Sequence, residues 1–236
     1  MKAWIISDIH QSHLSRFLRD PPKVPSADIC ICAGDVANFI NDTIVYIRRV
    51  IEPKMPVVLV LGNHDYYGSS ISSALESARR LVDGSGIHLL ENDTVIVGNC
   101  RFIGATLWTD FAVSIGDDEH ISPEERRVKA LELVPSRMMD FQCIYRSDPR
   151  RTDENGMVTA WEILERHKES RKFIDRELSV EYPGRTVVVS HHAPLMQSFD
   201  PIFFGSLTNA AFASDLSDLI MRRRPSLWIH GHILKS

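Results

Sequence analysis

Residues 57–65 read VVLVLGNHD, five apolar residues followed at once by glycine, asparagine, histidine and aspartate. A short run of β-branched and aliphatic residues that ends at a glycine is typical of a buried β-strand. Three polar side chains, Asn63, His64 and Asp65, then follow the strand directly, where a structural turn has no need of them. The stretch therefore favours a functional site at the carboxyl end of a strand over a simple turn.

Side chains of metal-binding type also close four other strand-like runs of the chain. Each shorter motif alone is more often a turn or a helix cap, but their joint occurrence after five successive runs is hard to attribute to capping. In open α/β sheets, ligands bind at the carboxyl ends of the strands. We therefore expect a metal site built from these ends: Asp8 and His10, Gly34 and Asp35, His191 and His192, and His230, Gly231 and His232.

The alternation of strand-like and helix-like segments predicts the α/β class. Apolar residues recur at helical spacing in 42–51, 71–82 and 159–178, between the strand-like runs. Residues 86–105 instead hold three short strands in succession, which predicts antiparallel pairing and argues against a purely parallel sheet. With 236 residues, we expect one compact domain over 1–236, with a helical cap or insert around 108–180.

Composition excludes several classes of function. Lys and Arg number 27 against 31 Asp and Glu, a net charge of -4, so no global positive field favours nucleic acid as a partner. No apolar run approaches the roughly 18 residues of a membrane helix, and no membrane contact is expected. The four cysteines are too few and too scattered for a disulfide framework, and the lack of an export signal predicts a reducing compartment, the cytoplasm. The oligomeric state is not indicated.

The donor set predicts the metal and its chemistry. Carboxylate, amide and imidazole together suit Mn, Fe or Zn better than Ca. Six candidate ligands exceed the needs of one ion, and a carboxylate such as Asp35 can bridge two ions about 3.5–4 Å apart. Two divalent metal ions are therefore expected. Such a pair polarises a phosphoryl oxygen and generates hydroxide from water, while a nearby imidazole assists the leaving group.

These motifs resemble those of the calcineurin-like metallophosphoesterases. The similarity extends from residue 8 to residue 232, and residues 104–110, GATLWTD, are similar to the bacterial phosphohydrolase branch of that family. The resemblance implies a four-layer αββα sandwich, in which two facing mixed β-sheets are flanked by helices. It also implies a metal-dependent hydrolase that acts on a small-molecule phosphoester. The motifs are Asp8-x-His10, Gly34-Asp35, Gly62-Asn63-His64-Asp65, His191-His192 and Gly231-His232.

The resemblance further implies a role for each candidate residue. His64 would be the general acid or stabilise the leaving oxygen, with Asp65 orienting it. His191 is preferred to His192 as the ligand because it directly follows its strand, and His230 is either a contact of the ligands or a buried histidine. The first ion would be held by Asp8, His10 and the bridging Asp35, and the second by Asp35, Asn63, His191 and His232.

One departure from the family pattern bears on the first ion. The family sequence Gly-His-x-His reads Gly231-His232-Ile233-Leu234 here, and the leucine cannot bind a metal. The chain ends two residues later, at Ser236, which predicts a C-terminus that is truncated relative to the family. Three protein ligands and water would then hold the first ion. The alternative is a degenerate family member with a binding or regulatory role and little turnover.

Overall fold

The computed structural model describes residues 1–10, 22–114, 120–147, 156–198, 205 and 207–233. Leu234 and the end of the chain lie outside the described residues. Within that part the chain forms eight short strands. They are β1 (Ala3–Ile6), β2 (Ile29–Cys32), β3 (Val57–Leu59), β4 (Ile87–Leu89), β5 (Asp93–Val97), β6 (Cys100–Ala105), β7 (Arg185–Ser190) and β8 (Leu227–Ile229).

The strands form two four-stranded sheets, in the orders β1-β2-β3-β4 and β5-β6-β7-β8. Each pairing described in the first sheet is parallel. The second sheet is mixed, because β5 runs antiparallel to β6 whereas β6, β7 and β8 are parallel to one another. The predicted α/β class and two-sheet architecture are confirmed, but only the second sheet is mixed.

The antiparallel pairing predicted for residues 86–105 is confined to β5 and β6. The first of the three strands, β4, instead joins the first sheet, where Ile87, His88 and Leu89 pair in parallel with Val57, Val58 and Leu59 of β3. The chain therefore changes sheets in the short turn between Leu89 and Asp93.

Helices cover the outer faces of both sheets. Three of the helices begin with a side-chain cap: Ser70 accepts from the Ser73 N–H, Thr159 accepts from the Glu162 N–H, and Ser122 forms a capping box with Glu125. The helices are α1 (Ile40–Tyr46, continued by the π-helical turn Ile47–Ile51), α2 (Ile71–Val82), α3 (Pro123–Leu133), α4 (Asp140–Cys143), α5 (Ala160–Ser179) and α6 (Ser217–Arg223). Among the described residues, no helix has the length and apolar character needed to cross a membrane.

Alternate side chains of strand β2 lie in two different hydrophobic cores. Its four residues, Ile-Cys-Ile-Cys, are all buried, and successive side chains of a strand point to opposite faces. Ile29 and Ile31 lie between the sheets with Val58, Phe102 and Val189, whereas Cys30 and Cys32 lie with residues of α1 and α2. The cysteines are thus free thiols of a helix-covered core.

The outer face of the second sheet is covered in the same way. Ile103 of β6 and Val188 of β7 pack against Ile174 of α5 and Leu219 of α6. Helix, sheet, sheet and helix therefore follow one another as four layers, as the sequence resemblance implied. Helix α5 belongs to this outer layer; the wider cap or insert around 108–180 stays a prediction.

The inter-sheet core makes a direct prediction about stability. Phe102 is 1% exposed between the sheets, so Phe102→Ala should lower the free energy of unfolding by about 3–5 kcal/mol through lost burial and a cavity. Ile96→Ala is the control, because Ile96 on the adjacent β5 is 58% exposed and its truncation should cost no more than about 0.5 kcal/mol. Urea unfolding measures both, and equal losses would contradict this core.

Candidate metal centre

The predicted site residues meet where the carboxyl ends of β1, β2, β3, β7 and β8 come together. The loops are tied to one another by main-chain hydrogen bonds: the Asp8 N–H donates to the Gly34 carbonyl at 3.0 Å, and the His10 N–H to the Asp35 carbonyl at 3.0 Å. The His232 N–H donates to the Asp8 carboxylate, 3.0 Å from Oδ2, which links the two sheets. Residues 224 positions apart thus share one site.

The His191 ring is the centre of one group of donor atoms. Its Nδ1 lies 2.7 Å from the carbonyl oxygen of Ala33, which can only accept, so Nδ1 carries a proton. In the neutral ring Nε2 then presents a lone pair. This Nε2 lies 3.0 Å from Asn63 Oδ1, 3.0 Å from His232 Nδ1 and 3.4 Å from Asp35 Oδ2.

These four atoms fit a metal ion better than they fit one another. Asn63 donates through Nδ2 to Asp140, so its Oδ1 is the atom turned to His191, and that oxygen only accepts. His232 Nε2 is buried with no hydrogen-bond partner among the described residues. The lone pairs of these four atoms therefore point toward one another, and at most one proton lies between them to form a hydrogen bond. Bonds of about 2.0–2.2 Å to one ion place neighbouring ligand atoms at such separations.

A second, looser group surrounds His10. Its Nε2 lies 3.9 Å from Asp8 Oδ1 and 3.9 Å from Asp35 Oδ2, and its side chain is 35% exposed. Donor atoms of His10, Asp35 and His64 lie close together on this side, and those of Asp35, His191 and His232 on the other, so Asp35 is the residue common to both groups. Its carboxylate is therefore placed to bridge two ions.

The electrostatics favour the metal-binding states of Asp35 and His232, whereas His191 has to lose a proton before its Nε2 can bind a cation. Burial raises the pKa of Asp35, but His191, His64 and His10 outweigh it, and the net pKa lies below the usual value. Burial opposes a charge on His191, yet Asp35 and Asp8 raise its pKa to about 9 in the metal-free protein. Burial and neighbouring imidazoles hold the pKa of His232 well below its usual range, so that ring stays neutral.

The backbone of the ligands is strained. Four candidate ligands have positive φ angles, in a region that residues other than glycine rarely adopt. The angles are 53° at Asp8, 48° at His10, 55° at Asp35 and 66° at His232. Such residues cost of order 1–3 kcal/mol each and persist only where the surrounding structure imposes them. The strain is concentrated in the loops that turn donor atoms toward a common centre.

Glycines make room for the ligands. A Cβ on Gly62 would lie 2.1 Å from Asp35 Oδ1 and 2.6 Å from His191 Cε1, and a Cβ on Gly231 would lie 2.7 Å from Asp8 Oδ2. The glycine of each motif is thus required by the close approach of a ligand from another strand end.

His64 lies beside the donor atoms. Its N–H donates to Asp35 Oδ1 at 3.0 Å, and its ring stacks on Tyr67 with centroids 4.4 Å apart. Ring atom Nδ1 lies 3.1 Å from Asn38 Oδ1, an acceptor that the sequence analysis did not single out. Burial lowers the pKa of the His64 ring. The sequence could have indicated Asn38, because it is a polar residue only three positions after Asp35 in the same loop.

Asp65 is fully buried beneath the loops. Its carboxylate accepts from the N–H groups of Asp35 at 3.0 Å and Gly62 at 2.8 Å, and from the Thr43 hydroxyl. Its hydrogen bonds among the described residues therefore brace two ligand loops, and the contact to the His64 ring comes from Asn38 instead of Asp65.

The two histidines left open by the sequence have other partners. His192 Nδ1 lies 3.2 Å from the Thr106 carbonyl, and its ring packs on Trp108 and His232. His230 Nε2 lies 2.9 Å from the Ser198 hydroxyl. Of the adjacent pair, His191 is the one whose ring nitrogen meets the other candidate ligands.

The chain is similar to known proteins of one family. The family of calcineurin-like phosphoesterases matches residues 1–236. An uncharacterized protein of Acanthamoeba polyphaga mimivirus is 26% identical over 254 residues, 96% of this chain and 82% of the viral protein.

Two solved structures share the fold at low sequence identity. A phosphopantetheinyl hydrolase from Mycobacterium tuberculosis has a TM-score of 0.70 and 20% identity, over 98% of this chain and 82% of that protein. A dimetal phosphatase from Danio rerio has a TM-score of 0.50 and 15% identity, over 98% of this chain and 81% of that protein. With the family match spanning every motif described above, the chain belongs to the calcineurin-like phosphoesterase family and is a metallophosphoesterase.

Proposed function

We propose that the chain hydrolyses small-molecule phosphoesters at a site that holds two divalent ions, with Mn, Fe or Zn as the candidates. One observation carries the proposal: lone pairs of His191, His232 and Asn63 converge beside Asp35, which also faces His10. Family membership supports the reaction class. Asp8, His10 and Asp35 would hold the first ion, and Asp35, Asn63, His191 and His232 the second.

When bound, the ions would polarise the phosphoryl oxygens and lower the pKa of a water molecule that attacks phosphorus. The chain's own residues hold and orient the reacting groups. Asp35, with one carboxylate facing both groups of ligands, fixes the spacing between the two positions. Asp65 keeps the loops of Asp35 and Gly62 in place by accepting one main-chain hydrogen bond from each.

His64 would transfer a proton to the leaving oxygen. Its Nδ1 donates to Asn38 Oδ1, so Nε2 is the nitrogen left to exchange a proton. Burial lowers the pKa of the ring, which makes the protonated ring a stronger acid. The neutral Asn38 amide orients the ring, whereas a carboxylate at that position would also stabilise its charged form.

Replacing the shared carboxylate should abolish most activity. Asp35→Asn should lower metal-dependent turnover of aryl phosphates by about 100-fold or more, because it removes charge facing both ions. The measurement is the hydrolysis rate with added Mn²⁺, together with the metal content of the purified variant. Asp218→Asn, at an exposed position on α6, is the matched control and should leave the rate unchanged. Unchanged turnover in Asp35→Asn would contradict the bridging role.

Replacing His64 should separate turnover from metal binding. His64→Ala should reduce kcat by about 10²–10⁴-fold, as is usual for a general acid, with two ions still bound. Steady-state kinetics and metal analysis of the same preparation test this, and His88→Ala, in β4, is the control. Loss of an ion from His64→Ala would instead make His64 a ligand.

The role of Leu234 is tested by restoring the family histidine. We expect Mn²⁺-dependent hydrolysis of an aryl phosphate monoester or diester by the unaltered chain, and tighter binding of the first ion in Leu234→His because a fourth protein ligand is added. Chelator should stop turnover in both proteins. Activity that appears only in Leu234→His would favour the degenerate alternative, in which this chain binds but does not turn over.

A further inference from the structure

Asp140 is a buried carboxyl group that touches the metal centre without belonging to the family motifs. It begins the short helix α4, 77 residues after Asn63, and it is 6% exposed. Buried carboxyl groups are retained at a cost unless they are paired or hydrogen-bonded. The hydrogen-bond partners of Asp140 therefore indicate its role.

Both partners of Asp140 belong to the loop that follows β3. Its Oδ1 accepts from Asn63 Nδ2 at 2.8 Å and from the Tyr67 hydroxyl at 2.8 Å. Burial raises the pKa of Asp140, while these two hydrogen bonds favour its charged form. One oxygen thus joins a candidate ligand to the residue whose ring stacks on His64.

The contact decides which end of the Asn63 amide faces the ligands. An amide presents an oxygen that accepts and a nitrogen that donates, and the two differ little in shape. Because the Asp140 oxygen receives hydrogen bonds, it selects the orientation in which Nδ2 faces Asp140. The amide oxygen is then left 3.0 Å from His191 Nε2, among the lone pairs of the second group.

The helix that carries Asp140 is fixed to the same loop. The Gly68 N–H donates to the Cys143 carbonyl at 2.8 Å, and the Tyr145 N–H donates to the Ser69 carbonyl at 2.9 Å. Two main-chain hydrogen bonds therefore hold α4 and the residue pair after it against the loop of Asn63. The backbone, and not only the side-chain contact, therefore fixes the position of Asp140 relative to Asn63.

We propose that Asp140 is a positioning residue that fixes the Asn63 amide for the second ion and so sets the affinity of that ion. The inference rests on the proposed two-ion site. Partners of metal ligands typically contribute 10- to 100-fold to metal affinity. A residue of the region between β6 and β7 thereby controls a ligand that lies directly after β3.

The test is Mn²⁺ titration of metal-stripped protein by calorimetry, with no substrate present. Asp140→Ala should weaken one of the two Mn²⁺ ions by about 10- to 100-fold and leave the other unchanged. Asp140→Asn keeps an acceptor oxygen for Asn63 and should recover part of the lost affinity. Tyr67→Phe is the matched control, because it removes the other donor to Asp140 and keeps the Asn63 contact; both ions should bind as in the unaltered chain.

Thermal unfolding of the metal-free variants separates a positioning role from an effect on folding. A positioning role predicts weaker binding of one ion even in a variant whose unfolding midpoint equals that of the unaltered chain. If Asp140→Ala folds poorly, the affinity of Asp140→Asn decides. Suppose that the unaltered chain binds two ions and that the folded Asp140 variants bind both with unchanged affinity. That result would overturn this inference and leave the proposed function standing. Equal losses in Tyr67→Phe and Asp140→Ala would also overturn it. Fewer than two ions bound by the unaltered chain would overturn the proposed function and this inference with it.

Discussion

The mutual repulsion of buried lone pairs is the constraint on which the centre of this molecule depends. Four atoms, His191 Nε2, Asn63 Oδ1, His232 Nδ1 and Asp35 Oδ2, meet with separations from His191 of 3.0 to 3.4 Å. In a medium of low dielectric constant, such a group needs a positive charge. Asp35 and Asp8 raise the pKa of His191 to about 9, which favours a second proton on this ring in the metal-free protein. A metal ion bound at His191 would have to displace that proton, so metal and proton would compete for one position.

The fold supplies the forces that keep these atoms together. Parallel strands from two facing sheets bring their carboxyl ends to one place, and the inter-sheet core around Phe102 and Val189 packs the sheets against each other. Four candidate ligands with positive φ angles are held against their backbone preference by main-chain hydrogen bonds and by the buried Asp65. The stability of the core thus offsets the cost of holding the donor atoms together, a cost that a bound metal ion would reduce.

The sequence predicts features that are encoded locally and misses those that depend on distant contacts. Apolar runs and their polar ends lie within a few residues, so the strand ends at Asp8, Asp35 and Asn63 were identified. The sheet to which β4 belongs was not, because its partner β3 is chosen by tertiary packing and not by its own residues. Asp140 carries no local signal, since it lies 77 positions along the chain from Asn63 and meets it only in the folded structure. Asn38 lies close in sequence to Asp35, yet only the structure shows its contact with His64.

The central claim, that Asp35 is shared by two ions, is tested most directly by anomalous diffraction from crystals of the full chain grown with Mn²⁺. The account predicts two anomalous peaks, one on each side of the Asp35 carboxylate and about 3.5–4 Å apart. One peak should lie among His191, His232 and Asn63, and the other between His10 and Asp8. A single peak that Asp35 does not contact, or two peaks without Asp35 between them, would contradict the account.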